Sequence, residues 1–106
     1  MILCCGEALI DMLPCKLASG NEAYMPLPGG AVFNTSVVLG RLSQQSGLFC
    51  GISTDQFGVQ LVRTLDDAGV DRTLCPRVAN PTTLAFVSIA HGQARYSFFD
   101  ENSALR

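Results

Sequence analysis

Short apolar runs alternate with segments of helical period along most of this chain, and that alternation restricts the fold more than any other feature. The opening run "MILCC" reads as a strand buried on both faces. From Gly30, the residues Ala31, Thr35, Val38 and Leu42 recur at helical spacing and predict a helix with that face inward. "SGLFCGIS" reads as a second buried strand and "TDQFG" as a loop. "FGVQLVRTLDDAG" repeats the helical pattern through Leu61, Leu65 and Ala68, with Gly69 placed as a C-terminal cap. "RTLCPRV" reads as a third strand, weakened at its end by Pro76. Strands joined through helices in this order point to an α/β fold with a parallel sheet.

Two segments stand apart from that alternation. "MLPCKL" and "AYMPLP" flank the turn cluster "ASGNE", and their prolines confine them to a sheet edge or a small separate sheet. Residues 12–28 are therefore expected to form a hairpin-like flap. "TTLAFVSIA", "HGQ" and "ARYSFF" predict a second hairpin over residues 83–99, with His91 as a turn residue. Three parallel strands and two helices leave much apolar surface uncovered. The 106 residues are thus expected to be the front part of a longer protein and to fold poorly in isolation.

Composition excludes several classes. Hydrophobic residues make up 48% of the chain and charged ones 15%, which favours a packed domain over disorder. The net charge of -2, without a basic run, offers nothing to nucleic acid or an anionic membrane. The start has no basic region and is interrupted by Glu7 and Asp11, so neither a signal peptide nor a membrane span is expected. Cys4, Cys5, Cys15, Cys50 and Cys75 are odd in number and contain no CxxC. They read as buried free thiols of a cytoplasmic protein. With His91 the only histidine, no metal site is expected.

The chemistry concentrates in "PGGAVFN". Glycine lets a ligand approach the backbone closely, and a helix N-terminus presents N–H groups without intrahelical partners. Asn34 adds an amide that both donates and accepts, which suits a sugar hydroxyl. Asp11 is read as lying just past the first strand, where ligands of open α/β sheets collect. Asp11, Gly29, Gly30 and Asn34 could therefore meet around one polyol. The plainer reading stays open: a tight Gly-Gly turn, a surface asparagine and a turn-forming aspartate. Neither GxGxxG nor GxxxxGK[ST] occurs.

The stretch "PGGAVFNTSVVLGRLSQQSGLFCGISTDQFGVQL" resembles the N-terminal signature of the PfkB (ribokinase-like) carbohydrate kinases. The paired glycines, the asparagine four residues after Gly30, the "RL" near the helix end and "GISTDQFG" follow that family's order. "YSFFDENSA" resembles its fructokinase-like branch. The resemblance implies the N-terminal part of a ribokinase-like fold, a parallel sheet flanked by helices, with a small β-sheet lid formed by the two hairpins. It implies that Asp11, Gly30 and Asn34 hold sugar hydroxyls, that Gly29 shapes the turn, and that Phe98 lies against the sugar. For Phe98, a place in the lid core is the equal alternative, and Asp55 is expected to order its loop.

Ser43 stands where many relatives have glycine, and Ser36 where many have alanine. The larger departure is that the family's Gly-Ala-Gly-Asp segment, with its catalytic base and anion hole, is absent from these residues. The expected function is phosphorylation of a sugar, fructose first, by ATP with Mg2+, this chain carrying the sugar-binding half and being inactive alone. Ribose, 2-keto-3-deoxygluconate and nucleoside kinases are same-class alternatives. An inactive remnant, or an interaction module that pairs as a homodimer through lid strands, are the rivals from other classes.

Overall fold

Parallel pairing organises one half of the molecule. In the computed structural model, which describes residues 1–104, β1 (Ile2–Cys5) runs parallel to β4 (Ser46–Phe49), with Ile2 opposite Ser46 and Cys5 opposite Phe49. A second parallel pair, β5 (Ile52–Ser53) and β6 (Arg77–Val78), lies further along. Between them, a single parallel bridge joins Gly47 to Asp71. Two helices pack on these strands, α1 (Ala31–Arg41) and α2 (Gln56–Ala68). The core gathers Ile10, Phe33, Leu48, Ile52, Leu61 and Leu65, each at most 1% exposed.

The α2 helix forms as its sequence predicts. Leu61, Leu65 and Ala68 are buried on one face. Asp55 caps the N-terminus by accepting from the Gly58 N–H, and Gly69 closes the C-terminus at φ 75°. The other parallel elements depart from expectation. "MILCC" is not buried on both faces: Ile2 and Leu3 are exposed and Cys4 alone is buried. β1 has one strand neighbour, β4, so its second edge and much of its surface face solvent. On α1, Phe33, Ser36 and Val37 point inward, while Val38 and Leu42 are exposed. The stripe read as the core face is the outer one. "SGLFCGIS" is two short strands rather than one, interrupted at Cys50 and Gly51. "RTLCPRV" follows the bridge at Asp71, turns at Thr73 and Leu74, and only then forms β6, with Pro76 before the strand rather than ending it. The predicted loop "TDQFG" is already helical from Gln56.

The two hairpins join in one four-stranded sheet. β2 (Leu9–Lys16) and β3 (Glu22–Gly29) pair antiparallel, as do β7 (Leu84–Ala90) and β8 (Gln93–Phe99). A short parallel contact of β2 with β7, from Ile10 opposite Leu84 to Met12 opposite Phe86, fixes the order β3-β2-β7-β8. The first hairpin is longer than the predicted flap and begins at Leu9. Its prolines fit their places: Pro26 and Pro28 lie on the edge strand β3, and Pro14 lies beyond Met12, where pairing with β7 has stopped. The second hairpin turns at His91 and Gly92, both at positive φ (53° and 75°), the conformation that suits right-twisted strands.

One face of this sheet carries Tyr24, Phe86 and Phe99 in edge-to-face contact, with ring centroids 5.1 and 5.2 Å apart. The other carries Tyr96 stacked on Phe98 at 6.2 Å. Among the described residues no helix is long and apolar enough to cross a membrane.

Candidate functional site

The junction between the two halves is where the predicted site residues fall. Gly29 ends β3 and Gly30 is the N-cap of α1, with φ 104° and ψ 135° and no side-chain capping bond. A Cβ at Gly30 would sit 3.0 Å from the Glu7 carbonyl oxygen, so both the backbone angle and the space require glycine. The first N–H groups of α1 are consequently left for an outside acceptor. The helix closes its first turn when the Asn34 N–H donates to the Gly30 carbonyl at 2.8 Å. Asn34 itself is exposed, in a shallow pocket of about 270 Å³ with Thr35, Val38 and Leu39.

Asp11 is not past the end of the first strand. It lies within β2, opposite Leu27 of β3 and Ala85 of β7. "GEALIDML" turns sooner than its composition suggests, so that Leu9 already pairs with Gly29. The strand nonetheless delivers Asp11 to the glycines. A methyl group on Gly29 would run into Asp11 Oδ2, so the bare glycine backbone is what makes room for the carboxylate. Burial, with no donor among the described residues to compensate it, pushes the Asp11 carboxyl above its ordinary value.

Phe98 lies in the same cross-strand row. Leu27, Asp11, Ala85 and Phe98 stand directly opposite one another across β3, β2, β7 and β8. Directly opposed residues share a face, so Phe98 and Asp11 project from the same side, roughly 10 Å apart at two strand spacings. Phe98 is 59% exposed, which argues against a core role in these residues. It lines a pocket of about 430 Å³ with Pro81, Thr82, Leu84 and Asp100, separate from the one at Asn34. The fold thus brings Asp11 against Gly29, with Gly30 next in the chain and Asn34 one helical turn on. Phe98 shares their sheet face but opens on its own pocket.

A polar cluster that the sequence reading only touched lies beside this junction. Asp55 Oδ1 accepts from the Gly58 N–H at 2.8 Å and from Thr82 Oγ1 at 2.6 Å, and Oδ2 accepts from the Thr82 N–H at 2.9 Å. Thr83 Oγ1 donates to Ser103 Oγ at 2.7 Å. Thr82, Thr83, Ser103 and Ser53 are all buried. Burial raises the Asp55 carboxyl, but the bonds from Thr82, Gly58 and Ser53 outweigh it and hold the group below its ordinary value. Asp55 therefore does order its loop, and it also fixes the start of β7. The double threonine before a β-rich run was the signal for its partner.

The fold belongs to a known class. The chain matches the model of the pfkB family of carbohydrate kinases over residues 1–105 and belongs to that family. It is 48% identical over 106 residues to a fructokinase of Rhizobium leguminosarum bv. trifolii, covering all of this chain and 32% of that protein. The crystal structure of a fructokinase from Xylella fastidiosa superposes with a TM-score of 0.90 at 35% identity, covering 98% of this chain and 33% of that one. A second structure of that enzyme, with bound ATP, gives 0.89 at 36% identity. The α/β architecture described here is the N-terminal part of the ribokinase-like fold of those structures, and the chain spans about a third of the length of the relatives it matches.

Proposed function

We propose that this chain is the sugar-binding part of an ATP-dependent sugar kinase acting on fructose, with residues 12–28 and 83–99 serving as a lid over the sugar. The observation that carries the reading is Asp11. Its carboxylate is partly buried, has no donor among the described residues, and rests on the bare backbone of Gly29 beside an uncapped helix start. A carboxylate so held can accept hydrogen bonds from two adjacent hydroxyls, and the incoming donors replace the water it has lost. Asn34 adds a donor and an acceptor from the helix. Gly29 makes room for the Asp11 carboxylate, Gly30 for the Glu7 carbonyl at the helix start, and the Phe98 ring would cover an apolar flank of the sugar. The four-stranded sheet would exclude water from the reacting hydroxyl.

ATP with Mg2+ would supply the transferred phosphoryl group. The residues present do not fit that pair. Lys16 is the only lysine, no phosphate loop occurs, and the described residues contain no acidic, histidine or cysteine group able to hold a metal ion. No step through the nucleotide is therefore derived, and these 106 residues alone are proposed to be inactive. Exposed Ile89, Tyr96 and Phe98 on the sheet favour, as a second reading, a homodimer formed through the same strands.

Calorimetric titration tests the binding claim. Fructose should release heat on binding, Asn34→Leu should abolish that heat, and ribose or a nucleoside should bind more weakly. Equal heats for wild type and variant would remove Asn34 from the site. A dimer on size exclusion without any sugar binding would favour the interaction module instead.

A further inference from the structure

Three of the five cysteines lie in the core, and two of those are neighbours. Cys50 follows β4, and Cys75 lies on the segment running beside it towards β6. Backbone bonds bracket the pair on both sides. The Leu48 N–H donates to the Asp71 carbonyl at 3.0 Å, and the Ile52 N–H donates to the Pro76 carbonyl at 2.9 Å. The Cys75 thiol lies 3.2 Å from the Leu48 carbonyl, two residues before Cys50. The Cys75 sulfur thus lies against the 48–50 segment, and both Cys50 and Cys75 are buried. The segments carrying the two cysteines run side by side between these backbone bonds, which suits the roughly 4.4–6.8 Å between Cα atoms that a disulfide spans.

The pair is chemically asymmetric. The neighbouring Cys50 lowers the Cys75 thiol against the cost of burial, and the Arg72 guanidinium adds to the effect. The same contact and burial push Cys50 upward. Cys75 is the thiolate-forming partner and sits under a surface turn, where the Cys75 N–H donates to the Arg72 carbonyl at 3.0 Å and Leu74 is 50% exposed. That turn is tied to α2 only at the surface, by the ion pair of Arg72 with Asp66 at 2.7 Å.

We propose that Cys50 and Cys75 form a reversible intrachain disulfide when the protein meets a hydroperoxide. The Cys75 thiolate attacks one peroxide oxygen, breaks the O–O bond and becomes a sulfenic acid, releasing hydroxide that takes up a proton. The Cys50 sulfur then attacks the sulfenic sulfur and expels the second oxygen as water, its own proton leaving with it. Two thiols and one hydrogen peroxide give one disulfide and two waters. The cross-link would pin the strand that leads into Asp55 to the one that leads towards Thr82. It does not depend on the sugar-kinase reading.

Peptide mapping after peroxide treatment tests this on the reduced native protein. Remaining thiols are alkylated, and the chain is cut with trypsin. Cleavage after Arg41, Arg63, Arg72 and Arg77 isolates Cys50 in residues 42–63 and Cys75 in residues 73–77, with Cys4, Cys5 and Cys15 left together in residues 1–16. The expected result is a linked 42–63/73–77 species, lighter by two hydrogens and separated by dithiothreitol. In Cys50→Ser the link should vanish and Cys75 should progress to sulfinic acid. Recovery of both native peptides as alkylated thiols, or linkage that arises only after unfolding in urea, would overturn the proposal.

Discussion

Asp11 and Asp55 both lie where the two halves of the chain join, and their surroundings move them in opposite directions. Asp55 is held below its ordinary value by hydrogen bonds from Thr82, Gly58 and Ser53, against the cost of burial. Its contribution is therefore fully present above an unfolded pKa of about 3.9 and is lost as pH falls through the lower folded value. Asp55→Ala removes an N-cap and both bonds to Thr82, and should cost about 1–3 kcal/mol at neutral pH. Urea unfolding at pH 7 and pH 3 measures it, and the gap between wild type and variant should narrow at the lower pH. A gap that is constant with pH would mean that the carboxylate charge is not what holds Thr82. Asp11 is raised, so its ionised form weakens the fold at neutral pH, and stability from this group is gained as pH falls. Asp11→Asn should leave the melting midpoint unchanged or higher while removing its upward shift with fructose. A lower midpoint without ligand would show that Asp11 is structural.

Elements whose evidence is local were legible, and those decided by distant partners were not. The α2 helix was readable because its stripe, its N-cap Asp55 and its C-cap Gly69 all lie within the segment. α1 has apolar residues on two sides. Phe33 and Val37 face the core, while Val38 and Leu42 are as hydrophobic and point outward. Nothing within the helix says which side meets β1 and β4. Asp11 was assigned to the site for a position it does not hold, since the turn at Gly6–Ala8 that starts β2 leaves no composition signal. Register, which is non-local, brings it to Gly29. The contact of α2 with its strand can be tested at Gly58, where a Cβ would overlap the Ser53 carbonyl oxygen. Because the obstacle is backbone, Gly58→Ala should cost at least about 1–3 kcal/mol. A melting midpoint equal to wild type would mean that the helix shifts freely on β5.

The molecule as a whole joins a parallel body to a four-stranded sheet at two places of different character. On one side lies Gly29–Gly30, where backbone alone makes the connection. On the other lies the buried cluster of Asp55, Thr82, Thr83 and Ser103. The class of fold and both hairpins were readable from strand and turn patterns. The union of the hairpins into one sheet came only from β2–β7 pairing between residues some seventy positions apart, and with the local β7–β8 pairing it sets Phe98 on the face of Asp11. That row and the glycine junction support the central claim, that Asp11 holds the sugar. The most direct measurement is the ATP-dependent phosphorylation of fructose by the complete gene product carrying this chain, as wild type and as Asp11→Asn. The account predicts sugar phosphate from the wild type, with kcat/KM lowered roughly 100- to 1000-fold in the variant, about 3–4 kcal/mol of lost transition-state stabilisation. An Asp11→Asn enzyme with wild-type kcat/KM would contradict it.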